Sequence, residues 1–436
     1  MNTHRRQLVS LAVPVYAQFL TSVAAGIINT VWVARLGGPA VAAVAMATTV
    51  ENVLLGVALV FGSGTTVLVA HARGARDPAA VRSAVRGGWA LCALVTPVVA
   101  VGGFLLREPL ARLTLGGGAA VPPAVAYLAI SLPGMAVFFA QQLVDGLLKG
   151  AGDTRTPMRL ALLANGLILV CDPWLIHRYG VQGAAASTVL CRCLALGLGL
   201  VALRRNTLLR AGVRSAEPVG AAVRRTLRTG LPMSADFTVR QAGSLALVAI
   251  VARLGVTAVA AYSIAFKVMF VATMAFYAVR QAAAIHTAHT RGAGREAGRA
   301  IGREAVLVSG TAGLAAAALL AATAPWIMAA FGAGPEVAAA GVLFLRCAGP
   351  YLLLMACFIA LGGVFEGGGG AALLLRVTVL GTAVQLPLAH LSSGLGLPGV
   401  AMALALAMAV QCAALAVLTR RGRRQEEGVG SLARVA

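Results

Sequence analysis

The sequence predicts an all-α integral membrane protein, with twelve transmembrane helices arranged as two pseudo-symmetric six-helix bundles around a central cavity. Three observations carry this. Apolar residues make up 59% of the chain and charged ones 11%, whereas a soluble chain carries about 25% charge, so too few charges are present to cover a globular surface. Val33-Ala34-Arg35-Leu36-Gly37 recurs as Val251-Ala252-Arg253-Leu254-Gly255, an offset of 218 from residue 33 to residue 251. Pro14 and Pro232 share that offset, as do Ala70-His71-x-Arg73-Gly74 and Ala288-His289-x-Arg291-Gly292. Finally, arginine gathers in alternate connections between the apolar runs, which fixes an orientation. Duplicated sets of membrane helices usually carry a cargo along the seam between their halves.

The elements follow in order. Arg5 and Arg6 precede the first apolar run, 8–33, in which Pro14 predicts a kink that frees carbonyls. Gly37-Gly38-Pro39 turns the chain into 40–69, and Arg73, Arg76, Arg82 and Arg86 separate that run from 87–106. A glycine-rich turn over 116–123 leads into 122–148. Lys149, Arg155 and Arg159 precede 158–177, and 181–203 closes the first set. The second set is 230–252 with Pro232, then 258–287, 305–329, 337–363, 371–391 and 397–419. Each run is about 20 residues or more and is bounded by Gly, Pro or Arg. The expected units are an N-terminal bundle over 1–203, a cytoplasmic linker over 204–229, a C-terminal bundle over 230–420 and a cytoplasmic tail over 421–436. The repeat continues at an offset of 217 for Pro133 and Pro350, and for Gly146-x-x-x-Gly150-x-Gly152 and Gly363-x-x-x-Gly367-x-Gly369. It falls to 216 for Gly180-x-x-Gly183-x-Ala185 and Gly396-x-x-Gly399-x-Ala401, as one-residue deletions in loops would produce. Six spans per half make both halves enter from the same side, related by an axis along the membrane normal.

A net charge of +22 would point to nucleic acid in a soluble protein. Its placement instead follows the positive-inside pattern, with both termini cytoplasmic, a plasma-membrane location and the lipid bilayer as partner. Nucleic acid is excluded on that reading. The seven cysteines lie in apolar stretches without a C-x-x-C pair, so they read as packing residues rather than disulfides or metal ligands. No cleavable signal and no cofactor are expected, and the working unit is expected to be a monomer.

The order of motifs resembles a known family. Pro14 in the first helix is followed by Trp32-Val33-Ala34-Arg35-Leu36-Gly37 at its exit, and Gly146-x-x-x-Gly150-Ala151-Gly152-Asp153-Thr154-Arg155 after the fourth. Asn165-x6-Asp172-Pro173 in the fifth and Gly183-Ala184-Ala185-Ala186 in the sixth complete the set. Over nearly all of 8–420 the chain is similar to the multidrug and toxic compound extrusion (MATE) transporters, nearest the DinF-like branch. The resemblance implies an antiporter that expels small organic molecules, driven by inward H⁺ or Na⁺. It also implies an ion-coupling set of Asp172, Asn29, Asn165 and Thr188. In the family two carboxylates typically form this site; here Asn29 stands where the first-helix acid would be, and Ile168 stands where a further Asn would be. Asp172 and Asn29 each lie about 6 Å below the outer surface at 1.5 Å per helical residue. Na⁺ calls for several hard oxygen ligands, so the loss of a charge and an amide favours H⁺. Asp172 is then the carrier, because a carboxyl withdrawn from water can hold a proton near neutrality.

Other charges at bilayer depth are costly and demand a role. Glu51 and Arg192 both lie about 16 Å deep, which makes an ion pair between them the expectation, serving either as a structural bridge or in gating or substrate binding. Asp236 and Arg240 are four apart and share a face. Lys267 and Arg346 lie about 13 Å deep with no acid at that depth, whereas Arg280 reads as snorkelling toward the cytoplasm. The repeat partners of Lys267 and Arg240 are Thr49 and Ser22. An acidic first half and a basic second half suit a zwitterionic or anionic substrate better than a lipophilic cation. Pro14 and Pro232 are the candidate hinges, and Phe138, Phe139 or Tyr262 the aromatic groups that could face the cavity. Among other classes, a lipid or glycolipid flippase of the related superfamily is the alternative, ahead of a channel. A membrane enzyme lacks convergent catalytic groups, since His71 and His289 sit at helix ends beside arginine.

Overall fold

A computed structural model describes residues 3–116, 118–210 and 217–435. Its elements are α1 (Thr3–Ala34), α2 (Gly38–Gly74), α3 (Pro78–Leu115), α4 (Val121–Gly150) and α5 (Arg155–Arg205), then a short α6 (Thr207–Arg210). The second half comprises α7 (Val219–Ala252), α8 (Val256–Gly292), α9 (Gly298–Ala330), α10 (Pro335–Cys347), α11 (Gly349–Gly367), α12 (Ala371–Ser392) and α13 (Gly396–Val435). Among the described residues, ten stretches are long and apolar enough to cross a membrane. Two of these each hold a pair of crossings. Gly180, at φ 59°, turns the chain inside α5, and Gly396, at φ 70°, does so between α12 and α13. Helices α10 and α11 meet at Ala348 and make one crossing together. The result is twelve crossings, six in each half.

The helices outrun the apolar windows that reveal them. Helix α3 covers Pro78–Leu115 rather than 87–106, and α7 begins at Val219 inside the expected linker. Arginine is a good helix former, so polar turns extend helices beyond the hydrocarbon where hydropathy no longer registers them. The linker contributes α6 and the first turns of α7, while Arg214 lies outside the described residues. The tail continues α13 as far as Val435, and Ala436 also lies outside the described residues.

The duplicated motifs acquire physical roles. In each Arg-Leu-Gly turn the glycine sits at positive φ, 100° at Gly37 and 101° at Gly255, where a side chain would be strained. The Gly-x-x-x-Gly pairs let helices touch. In the first half a Cβ at Gly150 would lie 2.7 Å from the Thr66 carbonyl oxygen on α2, and the Thr66 hydroxyl donates to the Gly146 carbonyl at 3.0 Å. In the second, a Cβ at Gly363 would lie 2.8 Å from the Arg280 carbonyl carbon on α8. Close backbone approach through small residues is how membrane helices gain packing where burial in lipid supplies no hydrophobic drive.

The halves are joined at the arginine-rich end. There α2 crosses α8 backbone to backbone, with Gly74 against His289 and Gly292 against His71. The start of α1 packs Leu8, Ala12 and Val15 on Ala278, Ala282 and Ile301. Arg5 pairs with Glu304 at 3.0 Å, and the His4 and His286 rings share a hydrogen bond of 2.9 Å. Helix α7 lies against α2, where the Ser234 hydroxyl donates to the Gly56 carbonyl at 2.6 Å. These contacts reach from the arginine-rich end to about the middle of α2, and the cavity runs alongside them, lined on α2 from Asn52 to Val67.

Candidate functional site

A cavity of about 590 Å³ lies between the halves, within the range of drug-sized ligand sites. Helices α1, α2 and α4 line one side; α7, α8 and α10 to α13 line the other. Its wall is aromatic and methionine-rich on the second half, with Tyr262, Phe266, Phe270, Tyr277, Met269 and Met355. Glutamines 18, 142, 241, 281, 385 and 411 supply neutral polar groups. Of the candidate aromatics, Tyr262 lines the cavity, Phe139 is fully buried in the first half, and Phe138 lies under Arg192.

Near the end of the cavity closest to the sealed interface lies an ionic network. Asp236 on α7 accepts from Arg240 at 3.1 Å, from Arg280 on α8 at 2.7 Å and from the Thr378 hydroxyl on α12 at 2.5 Å. Arg280 also bonds both oxygens of Glu366 on α11, at 2.6 and 3.2 Å. The predicted Asp236–Arg240 contact is therefore present within a larger cluster. Arg280 does not snorkel: it is 7% exposed and holds two carboxylates. Such bidentate charge-assisted bonds satisfy buried ions that would otherwise be costly. On the opposite wall, Gln18 of α1 donates to Asp145 of α4 at 3.0 Å, and Lys149 of α4 lines the cavity.

Lys149 and Glu366 are not among the site residues expected from sequence, because they lie just past the apolar runs 122–148 and 337–363; Asp145 lies inside the first of these runs and is not singled out. The repeat itself holds the signal. At the 217 offset that aligns Gly150 with Gly367, Lys149 aligns with Glu366; at 218, Gln18 aligns with Asp236. Both clusters occupy equivalent places in the two halves.

The coupling candidates lie away from this cavity. Asp172 on α5 is fully buried, and Asn29 of α1 donates to its Oδ2 at 2.7 Å. Its Oδ1 has no hydrogen-bond partner, and the fully buried Ser187 lies alongside. Asn165 reaches Thr21 and Ser22 of α1, each at 3.3 Å, rather than Asp172. The Thr188 hydroxyl bonds the Ala184 carbonyl of its own helix at 3.1 Å. Arg192 lies 4.9 Å over the Phe138 ring and acts on half-buried Glu51 through space, without the expected contact pair. Lys267 and Arg346 are exposed and stand outside the cavity lining. Pro14 and Pro232 sit within unbroken helices α1 and α7.

Helix α1 thus touches everything that matters here. Asn29 binds Asp172 near one end, Gln18 reaches the cavity, and residues 4–15 join the second half. All seven cysteines are free.

Comparison with known proteins gives a consistent picture. The MatE family model matches residues 14–174 and 232–391, one match per half. A probable multidrug resistance protein of Bacillus subtilis, YpnP, is 26% identical over 249 residues, covering 56% of each chain. The DNA damage-inducible protein F of Escherichia coli is 29% identical over 242 residues, covering 54% of this chain and 51% of its own. The matched region thus spans just over half the length of these curated relatives. Among solved structures, an outward-facing multidrug resistance MATE transporter of the MOP superfamily superposes with a TM-score of 0.90 at 22% identity, covering 96% of both chains.

Proposed function

The chain belongs to the MatE family of multidrug efflux transporters, and from that premise we propose that it is a secondary active antiporter that exports amphipathic organic molecules by alternating access, driven by inward H⁺. The observation that carries this reading is Asp172: a fully buried carboxylate with one oxygen held by Asn29 and the other unpartnered. An unpaired buried carboxylate is costly when ionised and cheap when protonated, so loading a proton there has a built-in energetic consequence. Sodium is the poorer fit. The group reaching Asp172 from α1 is an amide N–H donor, whereas a hard cation needs several converging oxygens, and Asn165 is turned to Thr21 and Ser22.

Positive-inside placement assigns the arginine-rich end to the cytoplasm, so both termini are cytoplasmic. With the halves sealed there, the arrangement is outward-facing. Protonation of Asp172 acts on the cavity through α1, by way of Asn29, Gln18 and the inter-half contacts of residues 4–15, with Pro14 available for bending.

The test is substrate uptake into inverted vesicles or proteoliposomes energised by a pH gradient, a Na⁺ gradient, or neither. Uptake that follows the pH gradient alone supports the proposal. Uptake that follows Na⁺ refutes the choice of ion. Gradient-independent movement of substrate refutes antiport and favours a flippase or channel.

A further inference from the structure

Charge in the cavity wall is unevenly satisfied. Among the described residues, the wall carries three cations, Lys149, Arg240 and Arg280, against two carboxylates, Asp236 and Glu366. Four of these five belong to the one network on the second half, where both carboxylates are fully engaged with guanidinium groups. Lys149 is the fifth. It sits on the first half, is 5% exposed, and makes neither a hydrogen bond nor a contact ion pair. Its neighbour Asp145, one turn earlier on α4, takes the amide of Gln18 on one oxygen and acts on Lys149 through space without a contact pair. A largely buried ammonium with three donors and no partner is an unfavourable arrangement unless something completes it. The open direction is the cavity.

We propose that Lys149 is the docking point for an anionic group on the transported molecule, so that the substrates of this protein are anionic or zwitterionic amphiphiles. The carboxylate or phosphate accepts from the Lys149 ammonium, which lines the cavity. The apolar body lies on the aromatic wall of Tyr262, Phe266 and Phe270 across the cavity. A charge-assisted bond formed away from bulk water is stronger than a neutral one, so the sign of the headgroup becomes the selective feature. The repeat sharpens the argument: the equivalent position in the second half is Glu366, whose charge Arg280 already neutralises. A lipophilic cation would meet an ammonium without a contact partner on one wall and carboxylates already paired on the other. This inference rests on the central cavity being the substrate site.

Binding of two dyes that share a xanthene ring and differ in charge tests it: anionic fluorescein and cationic rhodamine 6G, followed by anisotropy on the purified full chain in phospholipid-free detergent. The expected result is that Lys149→Gln weakens fluorescein about tenfold or more, Lys149→Arg largely restores it, and rhodamine 6G binding is unchanged or tightened. Equal weakening of both dyes by Lys149→Gln, no effect on fluorescein, or wild-type protein that binds rhodamine 6G but not fluorescein would each overturn the proposal. Phe270→Ala separates this failure from failure of the cavity reading. If it weakens both dyes while Lys149→Gln affects neither, the cavity stands and the anion subsite falls; if it affects neither dye, the cavity reading falls and takes the subsite with it. Phosphatidylglycerol that displaces fluorescein only where Lys149 is present would assign the group to a lipid headgroup and overturn the small-molecule assignment.

Discussion

Replacing either Gly74 or Gly292 with alanine should unseal the arginine-rich end of the transporter. A Cβ at Gly74 would lie 2.8 Å from the carbonyl carbon of His289 and 3.1 Å from the nitrogen of Ala293. A Cβ at Gly292 would lie 2.8 Å from the carbonyl carbon of His71 and 3.0 Å from the nitrogen of Ala75. Ordinary van der Waals contact begins near 3.4 Å. The obstacle in each case is helix backbone, which cannot swing aside, so α2 and α8 must part by several tenths of an ångström or more. Overpacking of this kind costs about 1–3 kcal/mol. That cost falls only on the arrangement in which α2 and α8 touch, so the balance shifts toward the opened arrangement by roughly 5- to 150-fold. A single cysteine at the cavity-lining position 63 (Ser63→Cys), with the seven native cysteines replaced, reports the change through its rate of labelling by an impermeant maleimide applied to inverted vesicles. Labelling should accelerate by a comparable factor. The two substitutions should act alike, because the contacts they break are related by the repeat. Unchanged labelling in both, or an effect at Gly74 alone or Gly292 alone, would refute the reasoning.

Other outcomes follow from the same geometry. Asp236→Asn removes the shared acceptor of two buried guanidinium groups and should cost about 3–5 kcal/mol, read as a large fall in thermal stability of the purified protein; a change within error would mean that the network is not structural. Arg5→Gln breaks the Arg5–Glu304 pair, but Arg5 is 40% exposed, so the loss should be under about 1 kcal/mol, with cavity labelling moved in the same direction as by Gly74→Ala and by less. Thr188→Val should leave pH-driven transport within about twofold, since that hydroxyl bonds its own helix, whereas Asn29→Ala removes the partner of Asp172 and should change the pH profile of transport. The reverse ranking of these two would displace the coupling site from Asp172.

Sequence locates the spans along the chain more readily than it shows which way each side chain faces around a helix axis. Spans, turns and the duplication were legible because apolar runs and Gly, Pro and Arg punctuation repeat at a fixed offset. The Asp172–Asn29 contact was legible because both residues share a depth and a family position. Depth at 1.5 Å per residue is one coordinate; which way a side chain faces is another, and a helix apolar on nearly every side carries little trace of it. Lys267 and Arg346 therefore read as candidate cavity charges yet are exposed residues outside the cavity lining, and Glu51 and Arg192 make no contact pair. Arg280 appeared free to snorkel because its partner Glu366 lies past the end of the apolar run on α11. Helix ends beyond the apolar runs were the blind spot, and two of the five cavity charges, Lys149 and Glu366, sit there. The repeat could have found them, since it pairs Lys149 with Glu366 and Gln18 with Asp236.

Central to the account is that Asp172 couples proton movement to transport without itself holding the substrate, since it lies outside the cavity lining. The direct measurement uses Asp172→Asn in proteoliposomes, comparing substrate accumulation driven by a pH gradient with substrate-for-substrate exchange across the same membranes. The account predicts that gradient-driven accumulation is abolished while exchange persists at a rate close to wild type. Accumulation that survives in Asp172→Asn would contradict it.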